Sequence, residues 1–377
     1  GVRVVKAFVG EKQEEKRFAV ANDDLMNFSI RAQKLTMLLW PVVTLVMNLS
    51  IVAVLWFGGS AAIEGKIESG QLIAFMNYIL QVLGSVMMTV MLIINFSRAK
   101  ASAQRINEVM DTHSSILNPT TWKEPQDFSV SFEDVCFRYD PEDPGYVLQH
   151  LTFTAKKGET VGIIGGTGSG KSSMIGLIPR FYDVTEGSVR IGGVDVRDIP
   201  LDRLREHIGV VMQDTTLFSG SVEDNLRWGD PDAAKQQMDA AMQDAQAYDF
   251  VSVLPQGLKS EVEQRGKNFS GGQKQRLSIA RTLIKQPDIL ILDDSTSAVD
   301  MSTEAKIQMA LKEHRKPDGI VFLIAQRISA IADADQILVL DGGKLIAKGT
   351  HKQLLKDCDI YRSIAVSQLG EEVLEHV

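Results

Sequence analysis

A glycine-rich run near the middle of the chain has the residue types and spacing of a phosphate-binding loop. It fits the pattern GxxxxGK[ST], follows an apolar run predicted as a strand over 160–164 and opens a predicted helix. Glycines let backbone N–H groups close around phosphate oxygens, and the start of the helix adds partial positive charge. A chance glycine-rich turn would lack this context. The residues predicted to bind a nucleotide here are Gly165, Gly166, Thr167, Gly168, Ser169, Gly170, Lys171, Ser172 and Ser173.

Two side chains of this loop carry the expected chemistry, together with an aspartate that lies further along the chain. The ammonium of Lys171 is expected to reach the β- and γ-phosphates, and the hydroxyl of Ser172 is expected to bind Mg²⁺. An apolar run at 289–292 delivers Asp293 to the end of a predicted strand, where its carboxylate would join the same Mg²⁺ site. Many buried strands end in aspartate, so Asp293 alone would be a weak signal.

A Ser-Gly-Gly turn lies between these two motifs. Residues 268–273 lead directly into a predicted helix, and by residue type alone the turn is a helix N-cap that suits an anion. In its position along the chain, the turn resembles the signature motif of ATP-binding cassette exporters. Tyr139 resembles the aromatic residue that stacks on adenine in that family, and Gln213 resembles the Q-loop glutamine. Residues 297–300 resemble the D-loop that ends in Asp300.

The resemblance covers nearly the whole chain. Residues 263–266 are similar to the segment before the signature in exporters, and 1–8 and 104–111 are similar to the segments that flank the fifth and sixth transmembrane helices. The chain is thus expected to be the C-terminal part of a half-transporter, with the first four of six helices lying before it.

The resemblance also implies a role for each matching residue. ATP and Mg²⁺ are the expected cofactors, with Tyr139 among the nucleotide-binding residues and Ser172, Gln213 and Asp293 as metal ligands. In the family dimer, each ATP lies between the phosphate-binding loop of one chain and the signature of the other. The residues expected to face the partner's ATP are Ser270, Gly271, Gly272, Gln273 and Asp300.

Two residues depart from the family pattern, and both belong to the expected catalytic set of Asp294, Gln326 and Gln213. Asp294 stands where the family usually has the glutamate that polarises the attacking water, and Gln326 stands where it usually has histidine. Both changes weaken the same ATP site, whereas Phe269, in place of leucine, leaves the phosphate-binding groups of the signature intact. The resemblance is therefore to the degenerate-site subunit of a heterodimeric bacterial multidrug exporter.

Charge divides the chain near residue 110. Residues 1–110 hold 11 basic and 8 acidic side chains, and the remainder holds 29 and 40. An acidic second part argues against a nucleic-acid surface. The two cysteines form no CxxC pattern, which argues against a disulfide framework and indicates a reducing, cytoplasmic setting for the second part.

Two charge-free runs predict membrane spans at approximately 35–60 and 70–97, because about 20 apolar residues cross a bilayer. Two long buried helices of a soluble protein are the alternative. Basic residues favour the cytoplasmic side, which places the turn at 58–70 outside the cell. The basic residues that flank the spans are Arg31, Lys34, Arg98, Lys100 and Arg105.

The predicted fold is an α-helical transmembrane part followed by an α/β P-loop NTPase domain. The expected organisation is a transmembrane part over 1–111, a linker over 112–127, a nucleotide-binding domain over 128–370 and a tail over 371–377. Strands are predicted at 129–139, 151–155, 160–164, 288–292, 319–324 and 336–340.

The predicted function is that of an ATPase subunit in the cell membrane that exports a drug, lipid or peptide with a second half-transporter as its partner. A regulatory subunit without hydrolysis at its own site, and a soluble cassette ATPase that acts on DNA, are the alternatives. The two apolar spans oppose the soluble ATPase.

Overall fold

The computed structural model describes residues 2–370. The side chains at 35, 36, 39, 83, 87, 90, 91, 93 and 94 lie outside this description. The chain divides into two compact units, the first ending at His113 and the second beginning at Ser114.

Over its described residues, 2–113, the first unit contains three helices. They are α1 (Val2–Ala7), α2 (Glu11–Ile63) and α3 (Ser69–Met110). Among the described residues, one stretch, Trp40–Ile63 within α2, is long and apolar enough to cross a membrane, and none of it is buried within the structure. Six side chains of the second predicted span, 70–97, are not described, and that span stays a prediction.

The connection between the long helices is shorter than predicted. The sequence predicted a turn over 58–70, but α2 continues through Gly58 and Gly59 and only 64–68 lie outside the helices. The turn itself depends on Gly65, whose φ of 74° favours glycine. The amide of Lys66 then donates to the carbonyl of Ala61 at 2.9 Å and closes the helix end.

The described part of the second unit, residues 114–370, contains twelve short strands. They are β1 (Val130–Phe137), β2 (Leu148–Ala155), β3 (Thr160–Gly165), β4 (Glu186–Ile191), β5 (Val194–Asp195), β6 (Ile208–Val211), β7 (Gly220–Ser221), β8 (Glu261–Val262), β9 (Ile289–Asp293), β10 (Ile320–Ile324), β11 (Gln336–Asp341) and β12 (Lys344–Gly349).

Nine helices of the second unit lie between and after these strands within the described residues. They are α4 (Lys171–Leu177), α5 (Leu201–Glu206), α6 (Val222–Arg227), α7 (Lys235–Asp244), α8 (Tyr248–Ser252), α9 (Gly271–Ile284), α10 (Met301–His314), α11 (His351–Asp357) and α12 (Asp359–Leu369).

Five of the six strands of the main sheet run parallel. The order is β12-β11-β3-β10-β9-β6, with β12 antiparallel at one edge. A second sheet, β2-β1-β4-β5, is antiparallel, and β7 pairs with β8. Most predicted strands lie within one or two residues of those observed. The exception is β2, which begins at Leu148 rather than 151, because its pairing with β1 extends to Phe137 opposite Leu148.

The parallel sheet is buried on both faces, which explains why its strands read as continuous apolar runs. All five residues of β9 and all five of β10 are buried. Side chains alternate between the faces. Ile320, Phe322 and Ile324 pack into one hydrophobic cluster, whereas Val321 and Leu323 pack into the other. The main sheet thus lies between two hydrophobic cores, one on each face.

Replacing Phe322 by alanine should lower the free energy of unfolding by about 3–5 kcal/mol, because this fully buried ring leaves a cavity beside the sheet. Chemical denaturation measures the loss. Val253→Ala is the matched control. That side chain is 80% exposed, and its loss should change stability by less than about 0.5 kcal/mol. Equal effects of the two substitutions would contradict the position given to β10.

Candidate nucleotide site

The carboxyl ends of four neighbouring parallel strands open on one cleft of about 500 Å³. The loop after β3 lines this cleft together with Gln213 after β6, Asp293 and Asp294 after β9, and Gln326 after β10. Ligands of open α/β sheets bind at this edge. The structure therefore brings together nearly all of the residues predicted for one chain's own site. A larger cavity of about 650 Å³, which contacts α7, α9 and α10, contains none of them.

The loop folds in a way that requires glycine at particular positions. A Cβ atom on Gly165 would lie 2.1 Å from the carbonyl oxygen of Leu340, so no other residue fits there without a backbone shift. Gly170 has a φ of 93°, which glycine adopts without strain, and α4 begins directly after it. No side chain caps the start of α4, and its first residues line the cleft, so its first N–H groups are available to an anion.

Lys171 lies over the loop with its ammonium against backbone oxygens. Its Nζ donates to the carbonyl of Gly165 at 2.9 Å and to that of Gly166 at 2.8 Å. Burial lowers the pKa of the Lys171 ammonium, while the carboxylates of Asp293 and Asp294 act in the opposite direction. A lysine held between a phosphate-binding loop and two carboxylates is placed to bind phosphate oxygens as a point charge.

Asp293 and Ser172 provide the oxygen atoms that suit Mg²⁺. The side chain of Asp293 is only 3% exposed. Burial raises its pKa, and a hydrogen bond from the Ser172 hydroxyl opposes the rise. A divalent cation would stabilise this buried carboxylate as the anion, and Mg²⁺ prefers such hard oxygen ligands. The residues present at this point of the cleft therefore fit the metal.

Asp294 receives two amide donors on a single oxygen. The Nε2 atom of Gln326 donates to its Oδ2 at 2.6 Å, and the Nε2 atom of Gln213 donates to the same oxygen at 3.2 Å. Its φ of 47° is a conformation that aspartate tolerates better than most residues. Burial raises the pKa of Asp294, with the hydrogen bond from Gln326 the largest opposing effect. One carboxylate oxygen is thus committed to two glutamines.

Tyr139 lies beside the loop, although it does not line the cleft itself. Its hydroxyl is 2.8 Å from the Ser173 hydroxyl, which ties it to α4. The ring packs edge-on against Phe137 and Tyr182, with centroid distances of 4.8 and 5.0 Å. With 55% of the residue exposed, a ring face is available for a planar base.

The Ser-Gly-Gly turn forms a separate surface, because none of its residues lines the cleft. Ser270 caps α9, and its side chain and that of Gln273 each accept a hydrogen bond from the other's backbone amide. A Cβ atom on Gly272 would lie 2.8 Å from the carbonyl of Ala298. The structure keeps the signature apart from the chain's own phosphate-binding loop.

The residues before Asp300 are tied to this turn. Gln275 of α9 accepts a hydrogen bond from the amide of Ala298 at 3.0 Å. Asp300 caps α10 and accepts from the amide of Thr303. Its pKa is lowered, first by a hydrogen bond from the Ser302 hydroxyl, so Asp300 is a carboxylate.

Among the cleft-lining residues that sequence reasoning missed are Ile364 and Gln368 of α12. They lie about forty residues beyond Gln326 and belong to no motif, so no local signal marks them. Only the packing of α12 brings them to the site.

Replacing Lys171 by alanine should weaken ATP binding about ten- to a hundredfold, because it removes a charge-assisted contact to phosphate. Isothermal titration with Mg²⁺ and ATP measures the change. Lys157→Ala is the control, because Lys157 forms an exposed ion pair with Asp318 outside the cleft. Unchanged affinity in the Lys171 variant would remove that residue from the site.

Comparison with known proteins gives two family matches along the chain. Residues 148–297 match the ABC transporter family, and residues 1–86 match the ABC transporter transmembrane region. Together they confirm the predicted combination of a transmembrane part with an α/β nucleotide-binding domain.

Relatives and a solved structure match almost the entire chain. An uncharacterized ABC transporter ATP-binding protein of Mycobacterium tuberculosis is 44% identical over 98% of this chain and 64% of its own length. A probable multidrug resistance ABC transporter ATP-binding/permease protein of Bacillus subtilis is 39% identical over 96% of this chain and 62% of its own. The structure of a bacterial Atm1-family ABC exporter with ATP bound is 33% identical, with a TM-score of 0.86 over 98% of this chain and 65% of that one.

The chain therefore spans slightly less than two thirds of the length of these relatives. Its two parts follow each other in the order of a membrane region and a cytoplasmic ATP-binding domain. On the family matches, the relatives and the shared fold, the chain belongs to the ABC transporter family.

Proposed function

We propose that this chain is part of a half-transporter subunit of an ATP-driven exporter that moves a drug, lipid or peptide out across the membrane. In this proposal it forms the degenerate-site half of a heterodimer and hydrolyses ATP slowly at its own site. The observation that carries the proposal is the pair of amide donors, Gln213 and Gln326, on one oxygen of Asp294.

A general base must reach the attacking water with a free lone pair. Asp294 is one methylene shorter than the glutamate usual in the family, and a displacement of roughly 1 Å can cost about a hundredfold in rate. Its Oδ2 already accepts hydrogen bonds from two glutamines. Because both donors engage that oxygen, Asp294 is poorly placed to polarise water in this proposal.

Gln326 weakens the same end of the site. Glutamine donates a hydrogen bond but does not become a cation, whereas histidine can. Its amide is directed at Asp294 rather than left free. In our proposal this chain supplies less positive charge at the γ-phosphate than the usual family member.

The remaining machinery supports nucleotide binding. Lys171 binds the phosphates in this proposal, and Tyr139 stacks on the adenine. Ser172, Asp293 and Gln213 would hold Mg²⁺, which would neutralise charge that develops on the β- and γ-phosphates. A site with these parts but a weak base binds ATP more readily than it hydrolyses it.

The signature turn, in contrast to Asp294 and Gln326, keeps its phosphate-binding groups. Ser270 retains its capping hydrogen bonds, and the two glycines after it leave the backbone open to an anion. In our proposal this surface closes on ATP held by a second half-transporter and completes the faster site there, with Asp300 beside it. Binding of ATP draws the two nucleotide-binding domains together and shifts the membrane part between inward- and outward-facing states.

A regulatory subunit that binds ATP without hydrolysing it is the second candidate. The same double hydrogen bond on Asp294 favours it, together with a pKa raised by burial. Single-turnover phosphate release with the partner's site disabled separates the two functions, because a slow site still converts its one bound ATP.

Asp294→Asn should change the ATPase rate of the assembled transporter by less than about twofold. A well-placed base contributes about 10²–10⁴-fold in rate, and little of that remains to be lost here. Ser270→Arg should nearly abolish the activity, because an arginine side chain would block closure over the partner's γ-phosphate. Steady-state phosphate release measures both variants beside the unmodified complex.

Thr350→Arg is the matched control for the second variant. Thr350 caps α11 with the same reciprocal hydrogen bonds, to Gln353, that Ser270 makes to Gln273. Loss of a cap alone therefore affects both variants, and only Ser270→Arg should stop turnover. A large loss from Asp294→Asn with little effect from Ser270→Arg would reverse the proposed roles of the two sites.

A further inference from the structure

The turn that follows β10 carries the glutamine that contacts Asp294. This switch turn, residues 325–330, begins where the strand leaves the sheet and ends in a short helical turn at 328–330. The position of the Gln326 amide depends on the backbone of the turn, because the residue itself is exposed and its Nε2 contacts only Asp294 among the described hydrogen bonds.

A single side chain from α12 holds this backbone on both sides of Arg327. The Nε2 atom of Gln368 donates to the carbonyl of Gln326 at 2.7 Å, and its Oε1 accepts from the amide of Ile328 at 2.8 Å. One amide group thus satisfies an acceptor and a donor two residues apart. Such a double contact fixes the orientation of the peptide groups between them, and with it the direction of the Gln326 side chain.

α12 is firmly anchored, so Gln368 is a fixed support rather than a loose chain end. Tyr361 and Ala365 on the same helix are fully buried in one of the two cores. The hydroxyl of Tyr361 also lies 2.6 Å from the Nδ1 atom of His351. Ile364 and Gln368, one helical turn apart, both line the nucleotide cleft.

We propose that Gln368 is a positioning residue of the nucleotide site, which acts through the switch turn to hold Gln326 against Asp294. The inference rests on the proposed function, in which the cleft binds ATP. When the Gln368 side chain is removed, the Gln326 amide is no longer held against Asp294. The switch turn then becomes more mobile at the edge of the cleft, and ATP dissociates faster from this chain's site.

Two other contacts keep the switch turn folded without Gln368. The Nε2 atom of Gln308 on α10 donates to the carbonyl of Ala330 at 3.1 Å. Arg327 forms an ion pair with the nearly buried Glu304 at 3.4 Å. Both contacts come from α10 rather than from α12, so neither of them involves the Gln368 side chain. Removing the Gln368 amide therefore changes the direction of Gln326 rather than unfolding the turn.

The test uses the assembled transporter and photolabelling with radioactive 8-azido-ATP, with this chain separated from other chains on a gel. Gln368→Met keeps the length and helix preference of the side chain but removes both hydrogen bonds. Release of the label before irradiation should be about threefold to tenfold faster, the range expected for loss of such hydrogen bonds. Gln368→Glu keeps the acceptor for Ile328 but loses the donor, and it should also speed release.

Two controls distinguish positioning from a general loss of structure. Gln353→Met removes an amide of the same kind from α11, where it accepts from Thr350, and release should stay unchanged. In a Gln326→Met background there is no amide left to position, so adding Gln368→Met should change release less than about twofold. Unchanged release in both Gln368 variants, or an equal effect in both backgrounds, would overturn the inference. Absence of label on the unmodified chain would overturn the proposed function itself.

Discussion

Burial of the parallel sheet on both faces is the constraint from which the site follows. Strands β3, β6, β9 and β10 run in one direction between two cores, so their carboxyl ends meet at one edge. Residues far apart in sequence thereby line one cleft, with the phosphate-binding loop near 170, Gln213, Asp293 and Gln326 each supplied by a different strand. Packing of the apolar side chains on both faces of the sheet fixes the strands, and the strands in turn position the polar side chains at their carboxyl ends.

Asp294 is the proposed catalytic side chain whose position depends on these strands. Its carboxylate is approached by one glutamine from the end of β6 and one from the end of β10, and the latter is held in turn by α12. Burial disfavours the charged form of this group, and the two amides stabilise it. The same contacts that stabilise Asp294 occupy an oxygen that a base would use. Stable binding and slow hydrolysis therefore have one structural cause in this account.

Much of the fold and most of the site were predictable, because their signals are local. Apolar runs marked four of the five parallel strands, β3, β9, β10 and β11, but not β6. Fixed spacings marked Gly165–Ser173 and the turn at Ser270. The extent of β2 was not predictable, because pairing with Phe137 decides it. The end of α2 at Ile63 was not predictable, because Gly58 and Gly59 are typical turn residues but lie inside the helix. Gln368 reaches the site only through packing of α12, a long-range contact that no pattern around residue 368 indicates.

If Asp294 and Gln326 make this chain's own site slow, replacing both with the residues usual in the family, glutamate and histidine, should make it fast. The full-length protein that contains this chain, purified without a partner, would pair its own phosphate-binding loop with its own intact signature. The account predicts slow phosphate release from the unmodified protein and release about 10²–10⁴-fold faster from the Asp294→Glu, Gln326→His variant. Turnover of the unmodified protein at rates typical of enzymes, about 1–10³ s⁻¹, or no gain from the two substitutions, would contradict it.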